Sequence, residues 1–161
     1  MNSDFVDKGL FFDIAGIKEC QKNRFPLLYI DKVQNVIPGK FARGIKCFTY
    51  NEWFFPAHFE DDPSVPGFIQ VEALVQTFLM TFLTIDEYKG EKAMGLSWDK
   101  VKFKRTIVPG ECLIIESHLT SFKRGIAKGY STSSVNGEDA CSAEFIVVIP
   151  SVMQKFNPNS K

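Results

Sequence analysis

The stretch Pro66-Gly67-Phe68-Ile69-Gln70-Val71-Glu72-Ala73-Leu74-Val75-Gln76-Thr77-Phe78-Leu79-Met80-Thr81-Phe82-Leu83-Thr84-Ile85 decides the architecture. Its apolar residues are not confined to one stripe. A helix that is apolar nearly all round has to be wrapped by other elements rather than laid on a surface. The run is long enough to raise the question of a membrane. Gln70, Glu72 and Gln76 near its start and three threonines later argue against a bilayer, which penalises such groups heavily. Pro is common at helix starts, and Lys89-Gly90 is a plausible stop. The spacing therefore predicts a buried helix over residues 67–88.

What could wrap it follows in the chain. Residues 93–103, 112–122, 126–135 and 140–149 read as strands. Val108-Pro109-Gly110, Lys123-Arg124-Gly125 and Asn136-Gly137 separate them. Asn-Gly between strand-like runs is a strong hairpin signal, because both turn residues need positive φ. Before the long helix, residues 12–21 predict a short amphipathic helix. Residues 25–30 and 40–50 read as strands, with a turn at Pro38-Gly39. The tail, 151–161, is polar and expected to be loosely held. The sum is a single α+β domain over 1–161, with its core at about 13–150. A curved antiparallel sheet around one long central helix is an economical way to bury that helix.

Composition narrows the function. A length of 161 residues supports a core large enough to fold without staples. The net charge of zero suggests no bulk affinity for nucleic acid or membrane. Sixteen Phe residues imply a thick core, an apolar subunit interface or a pocket for an apolar ligand. Cys20, Cys47, Cys112 and Cys141 are scattered, without metal-ligand spacing or a disulfide framework, and read as packing residues. With two His in the chain, no metal site is expected. No basic region followed by an apolar run opens the chain, so no signal peptide is read and a cytoplasmic location is expected.

Three features near the long helix carry chemistry. His58, in a loop after Phe54-Phe55-Pro56, offers an imidazole, which ordinarily titrates near pH ~6.5 and so has a basic form at neutral pH. Alone, it reads equally as a histidine hydrogen-bonded at a loop–core boundary. Glu72 lies on the second helical turn among apolar neighbours, where a carboxylate needs a partner or a proton. Gln76, four residues on, shares its face and can orient it. The plainer reading is a carboxylate that reaches solvent. Pro66-Gly67 opens the helix with exposed N–H groups that suit an oxygen gaining negative charge. Further on, Lys102, Lys104 and Arg105 form a candidate docking patch for an acidic carrier or a phosphate, or a solvated strand face. His118 reads as a surface strand residue.

These residues, in this order, resemble the FabZ-type β-hydroxyacyl-acyl-carrier-protein dehydratases of the hotdog superfamily. Arg24-Phe25-Pro26-Leu27-Leu28-Tyr29-Ile30-Asp31 is similar to a family segment. Pro38-Gly39-Lys40, Lys46, Asn51-Glu52 and Phe54-Phe55 fall in step. His58-Phe59, Pro63, Pro66-Gly67, Glu72-Ala73 and Gln76 match the catalytic motif at the same spacing. Lys102-Phe103-Lys104-Arg105 with Val108-Pro109-Gly110 resembles a later motif.

The resemblance implies a hotdog fold and a homodimer, and the family's habits include a trimer of dimers. Each site would take His58 from one subunit and Glu72 from the other. His58 would remove the α-proton of a β-hydroxyacyl thioester and Glu72 would assist departure of the hydroxyl. The Gly67 N–H would hold the thioester oxygen, and Phe59, Pro66, Phe68 and Gln76 would complete the substrate site. The partner would be acyl carrier protein or an acyl-CoA. No cofactor is implied beyond the phosphopantetheine that the substrate carries. The chain departs from the pattern at Ala57, at Phe59-Glu60-Asp61, where Asp62 makes a third acid, and at Asn23. The helix is also bulkier at Val75, Thr77, Phe78 and Leu79. A hotdog thioesterase and a catalytically weak acyl-binding partner are the alternative readings.

Overall fold

The computed structural model describes residues 9–156. At its centre α2 spans Gly67–Leu83, and every residue from Ile69 to Leu83 except Glu72 is buried. The seven strands are β1 (Leu10–Phe12), β2 (Lys32–Ile37), β3 (Phe41–Cys47), β4 (Met94–Phe103), β5 (Cys112–Lys123), β6 (Ile126–Val135) and β7 (Glu138–Val148). They form one antiparallel sheet in the order β1-β2-β3-β5-β6-β7-β4. The sheet curves around α2, the hotdog arrangement expected from the sequence. Phe78 stacks on Phe145 of β7 and meets Phe82 edge-on. A Cβ at Gly129 of β6 would run into the Phe78 ring, so a glycine there lets the sheet close on the helix.

The β5–β6–β7 meander follows the turn chemistry. Asn136-Gly137 has φ of 50° and 83°, and Arg124-Gly125 has 51° and 78°. Two consecutive positive values match the right-handed twist of the flanking strands. Between β1 and β2, α1 (Ile14–Cys20) is capped by Asp13, whose carboxylate accepts from the Gly16 N–H at 2.9 Å.

Four expectations are corrected. First, α2 stops at Leu83, where Thr84 bonds the Met80 carbonyl (2.8 Å), Ile85 turns extended and Asp86–Tyr88 forms a separate 3₁₀ turn. Second, residues 25–30 are not a strand. Pro26 has no N–H to give a ladder, and the Leu27 N–H closes a turn on the Arg24 carbonyl at 2.7 Å. The Gln76 side chain takes the Leu27 carbonyl and the Tyr29 N–H in place of a neighbouring strand. Third, the tail is held as far as 156. Pro150–Gln154 forms α3 with Val152 buried, and residues 157–161 lie outside the described residues. Fourth, Cys47 and Cys112 are not simple packing residues. The β3–β5 register sets them opposite each other, with Cα atoms 4.2 Å apart, as a disulfide. Their separation of 65 residues hides this from any local reading.

Cys20 and Cys141 do pack in the core. Burial pushes both thiols up, Cys141 to about 11. The thiolate is the nucleophile, and at pH 8 a thiol near 11 is about one part in a thousand ionised. Folded protein treated with iodoacetamide is therefore expected to show no alkylation at Cys20 or Cys141 by mass spectrometry. Unfolded protein should be labelled at both within minutes.

Candidate active site

Two segments meet at the start of α2. The first is the loop between β3 and α2, which carries His58. Its near end is anchored by Lys46, nearly buried, whose ammonium reaches Glu52 at 2.5 Å and Asp31 at 3.7 Å. Phe54 and Phe55 are buried beneath it. Its far end is held by the Val65 N–H on the Ile107 carbonyl at 2.8 Å. A loop fixed at both ends presents its side chains from a rigid base.

Within it, His58 is half-buried and stacks on Phe59 (centroids 4.4 Å apart). Its Nδ1 lies 3.1 Å from the Ser64 carbonyl and 3.2 Å from Ser64 Oγ, and Ser64 Oγ lies 3.4 Å from the His58 carbonyl. One proton arrangement satisfies all three contacts. Nδ1–H donates to Ser64, and the Ser64 hydroxyl donates to the His58 carbonyl. A carbonyl only accepts, so Nδ1 carries a proton toward Ser64, and in the neutral imidazole this leaves the Nε2 lone pair as a base. Glu60, Asp61 and Asp62 are all exposed, and none makes a side-chain contact with His58 among the described residues.

The second segment is the first two turns of α2. Pro66 is buried at the N-cap, and the Gly67 and Phe68 N–H groups have no acceptor among the described residues. A Cβ at Gly67 would come 2.8 Å from Phe103 Cζ, so only glycine keeps the backbone this close to that ring. One turn on, Glu72 Oε1 accepts from Gln76 Nε2 at 2.7 Å and from Asn23 Nδ2 at 3.4 Å. Both bonds fall on one oxygen, which leaves Oε2 open. Gln76 is fully buried and uses its whole amide: Nε2 also donates to the Leu27 carbonyl (2.7 Å), and Oε1 accepts from the Tyr29 N–H (2.8 Å).

Glu72 opens into a groove of about 490 Å³ lined by Asn23, Leu27, Tyr29, Phe68, Val71, Trp98 and Phe103. The structure thus joins Glu72, Gln76, Phe68 and Gly67, and separately joins His58 and Phe59. His58 does not line the groove. Of the groove walls, sequence reasoning named Phe68 and missed Leu27, Tyr29, Val71, Trp98 and Phe103. Asn23 carries no signal by its type, but Trp98 and Phe103 stand in a strand with apolar residues on both faces. Val75, Thr77, Phe78 and Leu79 are buried and do not line it. Of the basic residues after it, Lys104 pairs with Asp139 at 2.6 Å. Arg105 pairs with Glu111 at 2.7 Å and Glu138 at 3.4 Å. Lys102 lies along an outer-face depression with Tyr130, Thr132 and Glu144. His118 sits half-buried between the Phe41 and Tyr130 rings.

Among the described residues the edge strand β4 pairs on one side with β7 and with no strand on the other. Leu96 (59%), Trp98 and Phe103 (53%) are exposed along it. A long apolar edge with unpaired backbone groups is a template for another strand. No helix among the described residues is long and apolar enough to cross a membrane.

Comparison with known proteins bears on the family and the fold. Residues 22–144 match the FabA-like domain family. A protein of Caldicellulosiruptor saccharolyticus named 3-hydroxyacyl-acyl-carrier-protein dehydratase FabZ is 38% identical over 138 residues, 86% of this chain and 99% of its own. The Bacillus cereus protein of that name is 42% identical over 132 residues, 82% of this chain and 92% of its own. Among solved structures, the dehydratase heterocomplex ApeI:P of Xenorhabdus doucetiae superposes with a TM-score of 0.72 at 14% identity, covering 83% of this chain and 90% of that one. A putative thioesterase of Ralstonia eutropha gives 0.57 at 17% identity, covering 73% and 83%. At such identities the structural likeness speaks for the fold alone.

Proposed function

The chain belongs to the FabA-like domain family, and from that premise we propose that it dehydrates a 3-hydroxyacyl group, held as a thioester on acyl carrier protein, to the trans-2-enoyl thioester. It is a hydro-lyase of the 3-hydroxyacyl-acyl-carrier-protein dehydratase class, serving fatty acid or related acyl synthesis. Two separate arrangements support the chemistry, one in the loop before α2 and one on α2 itself. A lone-pair nitrogen is fixed at His58 by Ser64, and a carboxyl group is fixed at Glu72 with one oxygen open.

In this mechanism His58 Nε2 takes the proton at C2. The C–H electron pair becomes the C2=C3 double bond. The C3 hydroxyl leaves as water with the proton that Glu72, entering as the acid, supplies from Oε2. The N–H groups of Gly67 and Phe68 hold the thioester oxygen as it gains charge, aided by the helix dipole. Each proton-transfer role is typically worth ~10²–10⁴ in rate. The steps move protons and water, so the reaction is written without a resident cofactor; the phosphopantetheine arrives with the substrate.

The site is proposed to form in a homodimer. Glu72 lies in a groove that lacks His58, and the apolar β4 edge beside that groove is unpaired. A second copy adding its β4 there covers Trp98 and Phe103 and brings its own His58 loop to the groove. A trimer of such dimers is the further assembly proposed.

The test follows enoyl thioester absorbance while the protein acts on 3-hydroxybutyryl and longer 3-hydroxyacyl carrier substrates. Absorbance should rise without release of free thiol. Free thiol in place of enoyl product would make the protein a thioesterase.

A further inference from the structure

The basic residues at the end of β4 are poorly placed to dock a carrier. Lys104 and Arg105 are already ion-paired, and Lys102 lies on the outer face of the sheet, opposite the side on which Phe103 walls the groove. The end of α1 is different. Lys18 and Lys22 are exposed, and neither side chain has a hydrogen bond or ion pair among the described residues. The other charges on that segment are occupied. Asp13 caps the helix, and Glu19 is tied to Lys89 at 2.9 Å.

This surface has a fixed shape. The Arg24 guanidinium donates to the carbonyls of Lys18 (2.8 Å), Gln21 (2.8 Å) and Asn23 (2.7 Å), which braces residues 18–24 and adds a third cation. Apolar contact area lies beside it. Phe25 is 93% exposed, Leu27 is exposed, and Lys18, Arg24 and Phe25 edge a depression of about 430 Å³ with Ile14, Leu28, Ile30 and Asp31, whose carboxylate lies 3.7 Å from the Lys46 ammonium. The surface also runs into the groove. Asn23, between Lys22 and Arg24, bonds Glu72, and Leu27 lines the groove wall.

Cations around an exposed aromatic, at the rim of a groove that ends on the reacting carboxyl, suit one kind of partner. The geometry points to Lys18, Lys22 and Phe25 as the docking surface for the acidic face of the acyl carrier protein, from which the phosphopantetheine arm enters past Asn23 and Leu27. This rests on the dehydratase reading and assigns the partner's place on that same site. Charge at an interface rim acts mainly on encounter and on salt dependence.

The experiment compares wild type with Lys18→Glu/Lys22→Glu, and separately Phe25→Ser. Two substrates are used: a 3-hydroxyacyl carrier protein and the same acyl group on N-acetylcysteamine, which has no carrier to dock. The double reversal is expected to raise KM for the carrier substrate about tenfold, leave its kcat within about twofold, and leave KM for the small thioester unchanged. The wild-type carrier KM should rise with salt and the variant's should not. Anisotropy titration of the phosphopantetheine-bearing carrier should show the same tenfold loss of affinity, read without turnover. Equal effects on both substrates, or none on the carrier, overturn the proposal. So does a carrier affinity that falls with Lys102→Glu and not with the α1 reversal. Failure of the dehydratase reading looks different: wild type then turns over neither substrate, while the titration still reports docking.

Discussion

His58→Ala will lower kcat for dehydration by roughly 10³-fold or more and leave the fold intact, and Glu72→Gln will do the same. The sizes follow from the roles. His58 carries the nitrogen lone pair that the Ser64 contacts aim outward, and alanine leaves no base in its place. Half-burial in a loop means little packing is lost. Glutamine at 72 keeps shape and hydrogen-bonding capacity while removing the transferable proton. Thermal unfolding of both variants should match wild type within a few degrees, so lost turnover reports chemistry. The decisive measurement mixes the two inactive proteins after unfolding and refolding together. If His58 of one subunit works with Glu72 of the other, half the dimers are mixed. Each of these has one intact site, and activity returns to about a quarter of wild type. If each subunit supplies both groups to its own site, every site keeps a defect and nothing returns.

Gln76→Leu will strike stability and activity together. The buried amide bonds the Tyr29 N–H, the Leu27 carbonyl and Glu72 Oε1. Leucine is close in size, so the change is mostly polar. It strands a buried backbone N–H and a carbonyl, at about 1–3 kcal/mol for each group left unsatisfied. Denaturant unfolding should show a loss of about 2–4 kcal/mol. Glu72 keeps only its longer contact to Asn23, at 3.4 Å, so kcat should fall as well. Gln76→Glu offers a contrast. It keeps the acceptor for Tyr29, but as a carboxylate it sets a second negative charge beside Glu72. A Gln76→Leu protein as stable and active as wild type would remove the amide from the account of this site.

How much of this was legible in the chain depends on the range of the signal. The α2 helix and the β5–β6–β7 meander were readable because hydrophobic period and turn chemistry are local. Arg124-Gly125 and Asn136-Gly137 could serve little else. The Glu72–Gln76 pairing was readable for the same reason, being one helical turn. Residues 25–30 misled because an apolar run bounded by turns resembles a strand. What satisfies its backbone is a side chain 47 and 49 residues away. The Cys47–Cys112 pairing needs the register of two strands, and the groove walls need the position of an edge strand. The basic residues near 102–105 showed their charge in the sequence but not their partners. Asp139, Glu111 and Glu138 meet them only when β4 and β7 pair and the loop after β4 folds back.

The helix at the centre of the sheet has a consequence for how the protein is made. Nearly every side chain from Ile69 to Leu83 is buried, and of the strands that cover it β2 and β3 precede it while β5, β6 and β7 lie downstream. On the ribosome α2 therefore emerges long before the strands that enclose it. At about 5–20 residues per second, residues 84–148 take roughly 3–13 s to appear. Throughout that interval the chain carries a bare apolar rod, with only the first hairpin available to shield it. The β5–β6–β7 meander, built from tight turns and near neighbours, is suited to end the exposure quickly once translated. Slowing translation once α2 has left the ribosome and before β5, β6 and β7 follow should therefore raise chaperone capture and aggregation, whereas the same pause after β7 has emerged should not.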